Sequence, residues 1–202
     1  MKKLYALIVS SLALGFVGCA VDGVDNVVAP IGDNALEVNI AEPHTKVSLN
    51  DKVDGSYSAY WNEGDRISVN GNISDEAIIS ASNPTSARFE FTNAILDYPY
   101  SILYPASESN QVLFAAKQNY VEGTFESGTT PMFASVASQT ESIKLNHLSG
   151  VLRFNIKGAT NTTSLKKLVL KAAEGYIAGA FSLDFASGAL TPTEAVSSTL
   201  EY

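Results

Sequence analysis

The residue with the most distinctive chemistry is the single cysteine, Cys19, in the stretch LGFVGCAVDG. It follows Met1-Lys2-Lys3 and an uncharged run from Leu4 to Val17, the positive start and apolar segment of a secretory signal. The run is short of the roughly 20 residues that cross a bilayer as a helix. Phe16-Val17-Gly18 then gives the apolar–small–Cys order of a bacterial lipoprotein processing site. That order predicts cleavage between Gly18 and Cys19 and acylation of the Cys19 sulfur. An ordinary signal peptide with an incidental cysteine is the plainer alternative. Once Cys19 is consumed no thiol remains for a disulfide or a cysteine metal site.

Acid–base chemistry has few carriers. The two histidines are far apart and each stands alone: His44 lies in a turn beside Pro43, and His147, between strands, is expected to hydrogen-bond backbone rather than do acid–base work. Glu63 and Asp65 in NEGD form one close carboxylate pair, the type that glycoside hydrolysis employs. Asn–Glu–Gly–Asp is also good tight-turn chemistry, with Gly64 free to take positive φ, and the turn is the stronger reading. Tyr57, Tyr60 and Trp61 could stack on a sugar ring. Strand alternation separates them, however, placing Tyr57 and Trp61 on one face and Tyr60 on the other, with Trp61 in the core. There is no HExxH, no GxSxG and no phosphate-cradling glycine loop, and no loop has the carboxylate density of a calcium site. No enzyme, cofactor or metal is expected.

Composition narrows the class. The 202 residues carry a formal charge of −8, which becomes −10 without Lys2 and Lys3. An acidic chain without a basic, aromatic-rich patch is not expected to bind nucleic acid. With 46% hydrophobic residues it can build a core.

The elements that would position these residues are strands. Residues 20–34 read as a tether. From Ala35 the pattern has period two: Leu36, Val38 and Ile40, then Val47 and Leu49, then Tyr57, Ala59 and Trp61. It continues with Ile67 and Val69, a turn signal at Gly71–Asn72, and Ala87, Phe89 and Phe91. YPYSILYP (98–105) is aromatic and bracketed by prolines that suit strand ends or an edge. Ile143 and Leu145, then Leu152, Phe154 and Ile156, Leu168 and Leu170, and the stretch from Tyr176 to Leu183 follow. SLKKLVLKAA (164–173) and DEAIIS (75–80) could pass for helix, and the first is assigned to strand. The predicted core contains Leu36, Val38, Trp61, Ile67, Phe89, Phe91, Leu152, Phe154 and Leu170. Short strands at this spacing predict a mostly antiparallel all-β sandwich or barrel, and the sandwich is the fold class assigned. The organisation expected is a signal peptide over 1–18, a tether over 19–34, a sandwich over 35–190, and the start of a truncated second domain over 191–202.

The ordered set of segments resembles the fimbrillin-like (Mfa-like) family of lipoprotein pilus subunits and surface adhesins of Gram-negative anaerobes. The residues that carry the resemblance are TKVSL (45–49), YWNEGDRISV (60–69), YPYSILYP, Pro131–Met132, NHLSGVLRFNIKG (146–158) and GAFSLDFASGAL (179–190). It covers about Lys46 to Leu190. The resemblance implies two tandem transthyretin-like β-sandwich domains, lipid anchorage at the outer membrane or in a fimbrium, and a non-enzymatic role. It also implies cleavage after a basic residue near the mature N-terminus, which removes a strand so that a strand of the next subunit can fill the groove. The basic residue here would be Lys46, where arginine is usual, just after a break marked by Pro43. Partners would be other pilus subunits, a surface ligand and the membrane through its lipid. An outer-membrane glycan-binding lipoprotein is the alternative.

Overall fold

The computed structural model describes residues 34–41, 59–93, 95, 98–121, 126–139, 142–150, 152, 154, 156–160 and 162–202. Cys19, Gly18, His44, Lys46, Val47, Leu49 and Tyr57 lie outside them. Among the described residues the chain is all-β, without a helix. In chain order the strands are β1 (Ala35–Ile40), β2 (Ser68–Val69), β3 (Asn72–Ile73), β4 (Ile78–Ile79), β5 (Ser86–Glu90), β6 (Tyr100–Tyr104) and β7 (Gln111–Phe114). They continue with β8 (Met132–Val136), β9 (Lys144–His147), β10 (Val169–Lys171), β11 (Gly179–Leu183), β12 (Leu190–Pro192) and β13 (Thr199–Glu201).

Eight strands form one sheet in the order β3-β2-β6-β8-β9-β1-β5-β4. Two smaller sheets, β12-β11-β7 and β10-β13, complete the structure. Only β1 and β9 run parallel among these neighbours; the sheet is therefore mixed rather than purely antiparallel. Period-two patterning explains the core. Leu36 and Val38 of β1, Ala87 and Phe89 of β5, Ile102 of β6 and Leu145 of β9 are all buried on one face and pack as one cluster. Between them Arg88 and Glu90 point outward and pair at 3.0 Å. Because these strands bury that face largely against one another, with Trp61 and Ile67 filling in, the sheet has to curl around its own side chains. Opposite-phase residues of β6 and β8, Leu103 and Phe133, instead pack against Val112, Leu183, Phe185 and Leu190. A second, smaller core thus lies under the three-stranded sheet.

Turn chemistry sets the β2–β3 register. Val69 opposes Asn72, so the two turn residues are Asn70 and Gly71, one position earlier than the Gly71–Asn72 signal. Both have positive φ, 50° and 84°, as a two-residue hairpin requires. A Cβ on Gly71 would also lie 2.9 Å from the Glu108 carbonyl oxygen.

Several expectations are corrected. Leu152 and Phe154 are not core residues: they are 65% and 48% exposed, because no described strand packs over their face. Leu170 is half-buried. Within residues 191–202, the end of β12 pairs with β11 and β13 pairs with β10. YPYSILYP forms an interior strand between β2 and β8 rather than an edge, with its prolines just outside the strand ends, as one of the two expectations had it. SLKKLVLKAA contributes strand β10, in agreement with its assignment, whereas DEAIIS contributes a two-residue strand rather than a helical turn.

Candidate functional site

The feature that most invites function is the seat of β1. This strand is the first element described, yet it lies deep in the large sheet, between β5 and β9. Its sequence, ALEVNI, alternates apolar with polar side chains, so Leu36, Val38 and Ile40 all enter the core, at 7%, 0% and 6% exposure. Fully burying side chains of this size is worth about 1.5–3 kcal/mol each. Three such side chains approach the whole stability of an ordinary domain, about 5–15 kcal/mol. The slot cannot be left empty without consequence.

Main-chain bonds hold the strand on both sides. Toward β9, the Asn39 and Ala41 N–H groups donate to the carbonyls of Ile143 and Leu145, at 3.1 and 2.8 Å. Toward β5, the Ile40 N–H donates to Thr85 at 2.9 Å, and the Phe91 N–H donates to the Asn34 carbonyl at 2.8 Å. The outward Glu37 accepts the Ser86 hydroxyl at 2.9 Å. From the core, the Trp61 indole donates to the Val38 carbonyl at 3.3 Å. Removing β1 would expose two strand edges and an apolar slot between them. That is the chemistry of strand recognition: ladder bonds supply affinity, and pockets for alternate side chains set register.

Trp61 is therefore a core residue, 3% exposed, with its ring edge-on to Phe89 and Tyr104 at 4.9 and 5.3 Å. Tyr60 points away and is 57% exposed, so the described residues present no Trp–Tyr platform.

The carboxylates of NEGD are kept apart. Glu63 is exposed, whereas Asp65 is buried and accepts three hydrogen bonds: Asn62 N–H at 2.8 Å, Tyr104 hydroxyl at 2.8 Å and Ser127 hydroxyl at 3.1 Å. Gly64 takes φ +84° and the turn closes with Asp65 N–H on the Asn62 carbonyl. Asp65 thus closes a turn and pins it to the end of β6. Burial, and then the Asp65 charge, push the Tyr104 hydroxyl up to about 12. Sequence reasoning missed this buried pair. Tyr104 shares the inward phase of Tyr100 and Ile102, but nothing in the sequence joins it to Asp65.

His147 ends β9, near the point where β1 leaves the sheet. It is half-buried, and burial holds its pKa below the ordinary value, against a hydrogen bond with the Ala41 backbone. Its Nε2 is buried without a hydrogen-bond partner. No group of three or more histidine, cysteine or acidic side chains among the described residues could hold a metal ion. No helix among the described residues is long and apolar enough to cross a membrane. In comparisons with known proteins, no family model, curated protein or solved structure matches the chain.

Proposed function

We propose that this chain is a non-enzymatic cell-surface lipoprotein, a fimbrial subunit or adhesin of the fimbrillin-like kind, that assembles by strand exchange. Its all-β unit is read as a transthyretin-like sandwich. In this reading Cys19 carries the lipid, and cleavage after Lys46 frees residues 19–46, lipid and β1 together. Strand addition from another subunit then refills the slot between β5 and β9. The observation that carries the proposal is the position of β1, an N-terminal strand bonded on both sides and buried on one face. A single cut in the following segment would leave an edge that another chain can pair with. The location is the outer membrane or a fimbrium, with the membrane reached through the lipid anchor. The glycan-binding alternative has less support, because Trp61 is buried.

A covalent staple tests the exchange. Glu37 and Arg88 face each other across β1 and β5. The bonds of Asn34 and Ile40 make theirs a non-hydrogen-bonded pair, whose Cα separation of about 4.5 Å suits a disulfide. In a Cys19→Ala background, trypsin should cut first at Lys46 and self-association should follow, as read by intact mass and light scattering. With Glu37→Cys and Arg88→Cys joined, the cut should still occur, but association should wait for reductant. Early cleavage at Lys52 or Arg66 with Lys46 spared, or association indifferent to the staple, overturns the proposal.

A further inference from the structure

A broad cleft opens where β7, β11 and β12 meet β10 and β13, lined by Phe114, Phe181, Leu170 and Leu200 from these strands. The segment after β9 adds Leu152, Phe154 and Ile156, whose side chains are 65%, 48% and 53% exposed. The same cleft holds Lys117, Lys157, Lys166, Lys167 and Lys171 against one carboxylate, Glu201. Lys167 is paired with that carboxylate at 3.1 Å; the other four have no ion pair among the described residues. In a chain of charge −8, this one surface is basic and apolar at once.

One wall also offers main-chain groups. Leu168 and Tyr202 exchange both of their bonds at 2.8 Å, and the Ala172 N–H donates to Ser198 at 2.9 Å. In an antiparallel ladder the intervening residues, Val169 and Lys171, turn their N–H and C=O groups to the opposite side. On that side β10 has no neighbour among the described residues.

We propose that this cleft docks an extended acidic segment of a different polypeptide, with apolar side chains at every second position and carboxylates between them. Leu152, Phe154 and Ile156 line the cleft together with Phe114, Phe181 and Leu170, an apolar lining that can receive the alternate side chains of a strand. The open edge of β10 supplies ladder bonds, and the lysines favour carboxylates over neutral or basic side chains. Concavity favours an inserted strand over a flat bilayer. This docking site is separate from the β1 slot and does not depend on strand exchange there.

The test uses the uncleaved chain with the Glu37→Cys/Arg88→Cys staple closed, so that the β1 slot stays filled and failure here leaves the exchange proposal standing. The probe is a fluorescein-labelled peptide, Leu-Glu-Val-Glu-Ile-Glu-Val-Glu, followed by anisotropy. Saturable binding is expected, weakened about tenfold or more by Lys157→Glu with Lys166→Glu, and weakened by salt as rim charges are. These lysines are exposed, so the variants should keep their fold. Hydrogen exchange should slow at Val169 and Lys171. Absence of binding, equal binding of the peptide with lysine in place of glutamate, or indifference to the lysine reversals overturns the proposal. Lysine-dependent binding of phosphatidylglycerol vesicles in place of the peptide, or lysine-dependent self-association, overturns it by naming a membrane or a second copy as the occupant.

Discussion

Two stretches of this chain have the same period-two pattern and opposite fates. In β5 and the residue after it, Ala87, Phe89 and Phe91 alternate with Arg88 and Glu90, and the three apolar side chains are 1%, 0% and 4% exposed. In the segment after β9, Leu152, Phe154 and Ile156 alternate in the same way and stay about half exposed or more. Alternation decides which side chains share a face. It does not supply the layer that covers that face. Phe89 has Trp61 at 4.9 Å and a sheet curled around it, whereas Phe154 lines an open cleft.

The largest expected effect separates the two stretches directly. Phe89→Ala removes a fully buried ring and leaves a cavity, at a cost of about 3–5 kcal/mol. Phe154→Ala should cost less than about 1 kcal/mol, as surface substitutions do. Chemical denaturation of both variants checks the contrast. A Phe154→Ala loss as large as that of Phe89→Ala would mean that the segment after β9 is covered.

This contrast also marks what was legible in the sequence. Leu36, Val38, Trp61, Ile67, Phe89 and Phe91 were readable as core because each sits in a short alternating run with a turn signal beside it, and all are buried. The turn role of NEGD followed from its residue types. The parallel seat of β1 beside β9 was not legible, since pairing across a hundred positions leaves no local trace. Leu152 and Phe154 were misassigned because the pattern that identifies a face is the same whether that face is covered or open. The basic character of the cleft was only partly hidden: Lys157, Lys166, Lys167 and Lys171 lie close together in sequence, but Lys117 does not, and only the fold brings it to them.

A middle-sized effect tests the polar pin inside the well-packed region. Asp65→Asn keeps the shape but turns two acceptor oxygens into one acceptor and one donor, facing the Tyr104 hydroxyl at 2.8 Å. A cost of about 1–3 kcal/mol is expected for the mismatch in a buried site. Tyr104→Phe addresses the same contact through pH. The Tyr104 hydroxyl is raised from 10.0 to about 12, so the unfolded chain releases that proton first. Its contribution to stability is complete below pH 10 and is lost as pH climbs toward 12. The alkaline limb of wild-type stability should therefore fall more steeply than that of Tyr104→Phe. Parallel limbs would show that the hydroxyl is not held as the geometry requires.

The smallest effect belongs to the residue where the two regions meet. His147 closes β9 on the packed side, and Leu148, Ser149 and Gly150 immediately after it line the cleft. Its Nε2 is buried without a partner, and burial is the main cause of its lowered pKa. The folded chain therefore favours the neutral ring. The unfolded chain, with an ordinary value near 6.5, takes up the proton first as pH falls. The stability contributed by the neutral ring is present above about pH 6.5 and is lost as pH drops through the folded value. Carboxylates titrate mostly below about pH 5, so the window between about 5 and 6.5 isolates the imidazole. Thermal midpoints of wild type should decline across that window, while those of His147→Gln stay flat. The decline should be modest, because the ring is only half-buried and water reaches part of it. If both proteins decline alike, Nε2 has found water or a partner. The boundary at His147 would then belong to the open region rather than to the packed one.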